Sequence, residues 1–373
     1  MKKHQKHTPL VRRKMANFAP TEISILGGKC SIIADLVQKI VDFDTKSLKI
    51  GYLDASHSEA YIPPSYNSFT HQPQGSLEIH ACETANRYQE RSRFSAYDLL
   101  FINGNHFEGA QQILILDPLK EASVQKRLAQ INSIVCIIKV DPAMEYFPCL
   151  LEKFPSIASI PTYTLSDIEA IYHAISSVLH AKIPPVYGLI LAGGKSERMG
   201  TDKTQLVYHG IPQRNYLEDL LQSNGISPYV SVAKAPNIAT PNYIADTFLN
   251  LGAFGGICSA FQHNPNVAWL VIAADVPFVN SSLIEHLLTH RNPSKFATAL
   301  KGKTREFMEP LITIYEPKAY PQLLQFLAMG YACPRKMLIN NDVEIVEVED
   351  HFITNVNTPE EFKEALRKLN LNA

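Results

Sequence analysis

An apolar run that closes on a glycine pair, with cations following, governs what this 373-residue chain can fold into. Residues 186–191 read Val-Tyr-Gly-Leu-Ile-Leu, then come Ala192, Gly193 and Gly194, with Lys195, Arg198 and Lys203 behind them. A short apolar run bounded by glycine predicts a buried strand of a parallel sheet. A glycine pair after such a strand turns the backbone tightly and leaves its N–H groups facing phosphate oxygens. The cations supply positive charge where a nucleoside triphosphate needs it. The plainer reading is a strand that ends in a glycine turn before a basic helix. The spacing Gly-x4-Gly-Lys-Ser/Thr is missing here, so this loop does not encode a P-loop kinase or GTPase.

Elsewhere, strand-like apolar runs alternate with segments of helical period, which predicts α/β domains with mostly parallel sheets. The length suits two such domains. The break falls at 181–185, where a helical segment over 166–179 has ended and Pro184-Pro185 precede a new strand. The expected organisation is a basic flexible tail over 1–17, a first domain over 18–180, a linker over 181–185 and a second domain over 186–373. Both are expected to be three-layer α/β domains, the second one Rossmann-like. Its strands are expected at 187–191, 228–232, 268–273, 295–299, 311–315 and 343–348.

Lys and Arg number 35 against 36 Asp and Glu, so no basic face for nucleic acid is expected and a small anionic substrate fits better. The six cysteines are widely spaced without a Cys-x-x-Cys pair, which argues against a zinc site or disulfide framework and points to a reducing cytoplasm. Lys2, Lys3, Lys6, Arg12, Arg13 and Lys14 crowd the start, but no apolar segment follows them and no run reaches membrane-spanning length.

Residues 269–274 read Trp-Leu-Val-Ile-Ala-Ala and close on Asp275. Ligands of open α/β sheets gather at the carboxyl ends of strands, so Asp275 is placed for chemistry. A helix cap or turn is the alternative role for such an aspartate. Asp246 precedes a glycine-rich segment with Gly252, Gly255 and Gly256, which permits either close approach to a ligand or tight helix packing. Near the end, Asn355-Val356-Asn357-Thr358-Pro359-Glu360 offers amide groups able to orient phosphates. The same stretch makes a helix start, with Thr358 as cap and Pro359 in the first turn.

The pattern Leu-Ala-Gly-Gly-x-Ser-x-Arg-Met-Gly-x-Asp-Lys over 191–203 resembles the signature of the molybdenum cofactor guanylyltransferases, within the wider sugar-nucleotidyltransferase-like superfamily. The resemblance implies transfer of GMP from GTP to the terminal phosphate of molybdopterin, with Mg2+ as cofactor and pyrophosphate released. It implies Arg198, Lys203 and Asp275 as catalytic residues, with Asp275 as the metal ligand. Leu191, Ala192, Gly193, Gly194, Lys203, Asp246 and Gly252 would bind nucleotide, and Asn355 and Asn357 would return to the site. Leu191-Ala192-Gly193-Gly194 leans towards guanine rather than cytosine nucleotides in that family. Ala253 and Phe254 stand where the family has Pro and Leu, and Glu309-Pro310-Leu311 is similar to its acceptor-side strand. A molybdoenzyme or insertion chaperone is the implied protein partner. The rival readings are cytidylyl or other nucleotidyl transfer, and a carrier that holds the cofactor without catalysis.

The first domain resembles, more loosely, the P-loop adaptor protein of the same pathway. Ile23-Ser-Ile-Leu-Gly-Gly-Lys29-Cys30, the segment 49–57 and Asp98-Leu-Leu-Phe-Ile-Asn-Gly104 carry that resemblance. Ile23 stands where the P-loop needs its first glycine, Cys30 replaces its Ser/Thr, and Asn103 replaces an acidic residue. GTP hydrolysis by this domain is therefore not expected. His57, His71, His80 and His106 show no metal-ligand spacing and receive no role.

Overall fold

The computed structural model describes residues 10–44, 48–56, 68–74, 76–80, 86–192, 203–233 and 242–371. The chain divides into two compact units, one of residues 14–182 and one of residues 183–373, with which residues 10–13 group. No helix among the described residues is long and apolar enough to cross a membrane.

In the first unit the elements are β1 (Glu22–Leu26), α1 (Cys30–Phe43), β2 (Ile50–Leu53), β3 (Ser68–His71), β4 (Leu77–His80), α2 (Arg87–Phe94), β5 (Leu99–Asn103), β6 (Gln111–Leu116), α3 (Glu121–Lys126), β7 (Ile134–Lys139), α4 (Pro148–Lys153), β8 (Thr162–Thr164) and α5 (Ile168–His180). Six of the strands form an all-parallel sheet in the order β2-β5-β1-β6-β7-β8, and β3 and β4 pair as a separate antiparallel hairpin. The central strands β1, β5 and β6 are buried along nearly their whole length because helices cover both faces. Ile23, Ile25, Phe101 and Ile113 pack under α1 and α5, while Leu26, Leu114 and Leu116 face Val124 of α3 and Leu150 of α4.

The solvated tail expected over 1–17 ends earlier than that. Glu22 is fully buried, and its carboxylate accepts from the backbone N–H groups of Asn17, Phe18, Ala19 and Ala110. A carboxylate without solvent needs such donors, and it draws residues 17–19 onto the sheet edge to obtain them. Phe18 then packs edge-on against Phe94 and Phe107.

The second unit comprises β9 (Val186–Leu191), α6 (Gln213–Ser223), β10 (Ser227–Val232), β11 (Tyr243–Ala245), α7 (Gly252–His263), β12 (Ala268–Ala273), α8 (Ser281–Thr289), β13 (Ala297–Gly302), β14 (Glu309–Tyr315), α9 (Ala319–Ala328), α10 (Pro334–Ile339), β15 (Val343–Val348) and α11 (Pro359–Leu371). Its seven strands lie in the order β11-β10-β9-β12-β14-β13-β15. Only β14 runs against its neighbours β12 and β13. Alternation along the strands explains the layers. Ile190, Leu270 and Ile272 meet α6 and α8 on one face, whereas Leu189, Trp269 and Val271 meet α7, α9 and α10 on the other.

The expected strand at 295–299 begins two residues later and runs to Gly302, because Asn292 and Ser294 hold a turn before it. The three-residue strand β11 escapes sequence reading altogether, being shorter than any periodic signal. Helix α5 starts at Ile168 rather than at 166.

A buried ion pair fastens one margin of the second unit. Arg291 grips both carboxylate oxygens of Glu316 at 2.7 and 2.9 Å and also donates to the Pro184 carbonyl at 2.9 Å. Glu316 is 1% exposed and Arg291 11%.

Candidate functional site

The second sheet reverses its winding between β9 and β12. From β9 the chain proceeds outward through β10 to β11, then returns to lay β12 on the other side of β9. The crevice outside the carboxyl ends of two such strands is where an open α/β sheet takes its ligand. Leu191 and Ala192 end one of these strands and Asp275 follows the other.

Three side chains from distant parts of the chain meet at this edge. Lys203 Nζ donates to Asp275 Oδ2 at 2.9 Å and to Asn357 Oδ1 at 2.6 Å. The side chains of Lys203 and Asp275 are 23% and 17% exposed, so the pair is half withdrawn from water. Asp275 is fixed from behind, its carbonyl accepting from Val356 N–H at 2.8 Å. Asn357 is fixed in turn by Glu361, whose Oε2 accepts from the N–H groups of Asn357 and Thr358. Thr358 Oγ1 accepts from Glu361 N–H, which completes a capping box at the start of α11. The segment caps a helix, as its Thr-Pro-Glu-Glu chemistry predicts, and it sets Asn357 against the lysine that holds the aspartate. Asn355 is half-buried and stands outside this hydrogen-bonded group.

The donor set suits a hard divalent cation. Asp275 Oδ1 is buried and has no hydrogen-bond partner among the described residues, and Asn357 adds an amide oxygen beside it. Oxygen donors from one carboxylate and its neighbours, completed by substrate phosphates, match the preference of Mg2+. Glu309 opens β14 at the same edge: continuing the β12–β14 register from Ile272↔Ile312 brings it opposite Asp275. Burial chiefly, and the Asp275 charge in addition, push the Glu309 carboxyl above its ordinary range, against the opposing pull of Arg335 and Arg305.

On the far side of β9, Ala192 N–H donates to Ser231 O at 3.1 Å and Asp246 N–H to Val232 O at 2.9 Å. Asp246 accepts from Ser231 Oγ at 3.1 Å, and burial raises its carboxyl above the usual range. Asp246 lies at the carboxyl edge beside Ala192 but outside the Lys203–Asp275–Asn357 group. Gly252 opens α7 with φ +55° and has free space where a Cβ would be. Gly255 and Gly256 serve packing: a Cβ on Gly255 would stand 2.3 Å from Phe248 O, and one on Gly256 2.8 Å from Ser231 Oγ. Phe254 is a wholly buried core residue. Gly193, Gly194, Lys195 and Arg198 lie outside the described residues.

Sequence reasoning passed over Tyr208 and read Glu309 and Glu361 only as parts of a strand and of a helix start. Tyr208 is 5% exposed and packs edge-on against Phe362 of α11 at 4.9 Å. Burial first, then the charges of Asp275 and Glu361, push its hydroxyl well above the ordinary tyrosine range.

In the first unit the glycine pair after β1 is spent on packing. Gly27 has φ +89°, and a Cβ there would lie 2.2 Å from Ile115 O of β6. Asn103 Nδ2 donates to Asp54 Oδ1 at 2.8 Å, and Tyr52 OH donates to Asp54 Oδ2 at 2.9 Å. His106, given no role from sequence, stands with Nε2 3.5 Å from Cys30 Sγ and 3.9 Å from Asp54 Oδ1.

Fold and edge together define an open α/β domain with a carboxylate, a lysine and an asparagine at its switch point. Residues 188–344 match the family model described as a MobA-like NTP transferase domain. Among curated proteins, the chain is similar to the molybdenum cofactor biosynthesis bifunctional protein of Synechocystis sp., 33% identical over 48% of this chain and 53% of that protein. It thus spans about half the length of that relative. It is also similar to the molybdenum cofactor guanylyltransferase of Xanthomonas euvesicatoria, 29% identical over 49% of this chain and 96% of the relative. The probable molybdenum cofactor guanylyltransferase of Flavobacterium johnsoniae is 26% identical over 49% of this chain and 95% of its own length. Among solved structures, the molybdopterin-guanine dinucleotide biosynthesis protein A of Archaeoglobus fulgidus aligns with half of this chain and 99% of its own, at 22% identity and a TM-score of 0.43.

Proposed function

We propose that the second unit is a molybdenum cofactor guanylyltransferase, moving GMP from GTP to the terminal phosphate of molybdopterin and releasing pyrophosphate. The observation that carries this is the convergence of Lys203, Asp275 and Asn357 at the switch-point edge of a MobA-like domain. Nucleotidyl transfer brings two anions together, so negative charge must be neutralised where the α-phosphorus is attacked. Asp275 and Asn357 would hold Mg2+, which when bound offsets charge on the triphosphate and the departing pyrophosphate. Lys203 turns its ammonium towards the phosphates, and Arg198 adds a second cation. The backbone of Gly193 and Gly194 orients the triphosphate, while Asp246 and Gly252 border the base and ribose. No covalent enzyme intermediate is needed. The protein works in the cytoplasm and passes its product to a molybdoenzyme or insertion chaperone. The first unit, in this reading, is a degenerate P-loop-like adaptor without GTP hydrolysis: Gly27 packs against Ile115, and Asn103 is engaged by Asp54.

The test is pyrophosphate release by the full chain with magnesium, a molybdopterin-loaded acceptor and each nucleoside triphosphate in turn. GTP-selective release that disappears in Asp275→Ala, with the fold retained, is the expected result. CTP selectivity would move the assignment to cytidylyl transfer. Nucleotide binding without any release would leave a carrier.

A further inference from the structure

Two buried polar groups beside the site have no hydrogen-bond partner among the described residues, each other included, and they are complementary. Asp275 Oδ1 is an acceptor without a donor, and Tyr208 OH is a donor without an acceptor. They belong to one small pocket of structure. The ring of Tyr208 packs with Phe278, Val356, Ala365 and Phe362, so it is gripped by the turn after Asp275, by the Asn357 segment and by the last helix. The residue beside it, His209, holds the same turn, its Nε2 lying 2.9 Å from Pro277 O. Val356 holds it from the other side through the Asp275 carbonyl. Asp275 and Glu361 are the two charges that act on the Tyr208 hydroxyl, which keeps its proton throughout the working pH range.

We infer that Tyr208 is a positioning residue for Asp275: its hydroxyl donates to Oδ1 and fixes the carboxylate when Lys203 turns from Oδ2 to a bound triphosphate. This inference rests on the guanylyl-transfer function proposed for the second unit. The argument is one of compensation. In the ligand-free arrangement Lys203 alone among the described side chains orients the Asp275 carboxylate. Once the ammonium faces phosphate, the carboxylate needs another donor to keep one oxygen directed at the cation. The Tyr208 hydroxyl is the buried donor set into the same notch. A hydroxyl buried without a purpose would be better replaced by hydrogen, because an unsatisfied buried polar group destabilises a fold.

The experiment measures Mn2+ binding to the full chain by the electron paramagnetic resonance of free Mn2+, with protein in excess over GTP so that the nucleotide is protein-bound and no free GTP takes up the cation, for the wild-type protein and Tyr208→Phe. GTP affinity without metal and the unfolding midpoint are measured alongside. The expected result is Mn2+ affinity weakened about tenfold in the variant, the scale of one charge-assisted hydrogen bond. Metal-free GTP affinity and midpoint should be unchanged or slightly raised. Equal Mn2+ affinity in the two proteins would overturn the role of Tyr208 while leaving the proposed function standing. Failure of the wild-type protein to bind Mn2+ with GTP would overturn both.

Discussion

Replacing Lys203 with Met tests whether the site is also a structural joint. The substitution keeps most of the aliphatic stem and removes the ammonium that ties Asp275 to Asn357 across 2.9 and 2.6 Å. A hydrogen bond to a charged group contributes about 1.5–3 kcal/mol, and two are lost. The carboxylate is 17% exposed, so water recovers part of that loss. A net destabilisation of about 3 kcal/mol follows, which for a unit of this size lowers the midpoint by roughly 6–12 °C. Trp269, the single tryptophan, is fully buried in the core of the second unit and reports its unfolding by fluorescence. Turnover should fall by about 10²–10³, the scale of losing one preorganised charge at a transition state. A midpoint within one or two degrees of wild type, as a rough threshold, would refute the joint, because neither partner could then depend on the ammonium.

Arg291→Met should destabilise the second unit by about 3–5 kcal/mol, since it leaves Glu316 charged and buried; the double variant Arg291→Met/Glu316→Leu should recover most of this in urea titrations followed through Trp269. A double variant no more stable than the single one would show that packing, not the charge left on Glu316, sets the loss. Burial holds the His209 imidazole below its usual value of 6.5, against the opposing hydrogen bond to Pro277 O. The unfolded chain therefore takes up that proton first as pH falls. The stability contributed by neutral His209 is present above about 6.5 and is lost on acidification towards its depressed folded value. Unfolding midpoints measured across that window should fall less steeply in His209→Gln than in wild type.

What could be read beforehand was local. Strand β12 announced itself by an unbroken apolar run closing on Asp275, and Thr358-Pro359-Glu360-Glu361 announced a helix start by its cap chemistry. The meeting of Lys203 with Asn357 could not be read from spacing, because 154 residues separate them and only the return of the chain along the sheet joins them. Glu309 was legible as part of a strand but not as a neighbour of Asp275, since that depends on β14 running antiparallel to β12. No local pattern sets Tyr208 apart, because its burial requires a three-sided notch that no single segment encodes. The glycines of α7 left two readings open, and backbone approach at Gly255 and Gly256 shows what packing demands of them.

The reversed direction of β14 bears on how this domain can be rebuilt for other acceptors. Because that strand turns back beside β13, residues 303–308 form a hairpin connection at the carboxyl edge of the sheet. Its flanks are held independently, β13 by β15 and β14 by β12. Lys303 and Thr304 are tied to Glu349 and Asp350, while residues 305–307 are exposed, so this tip is where length and side chains can vary with least effect on the register of the sheet. A parallel strand in that place would have required a crossover across one face of the sheet, and any change there would have disturbed the core.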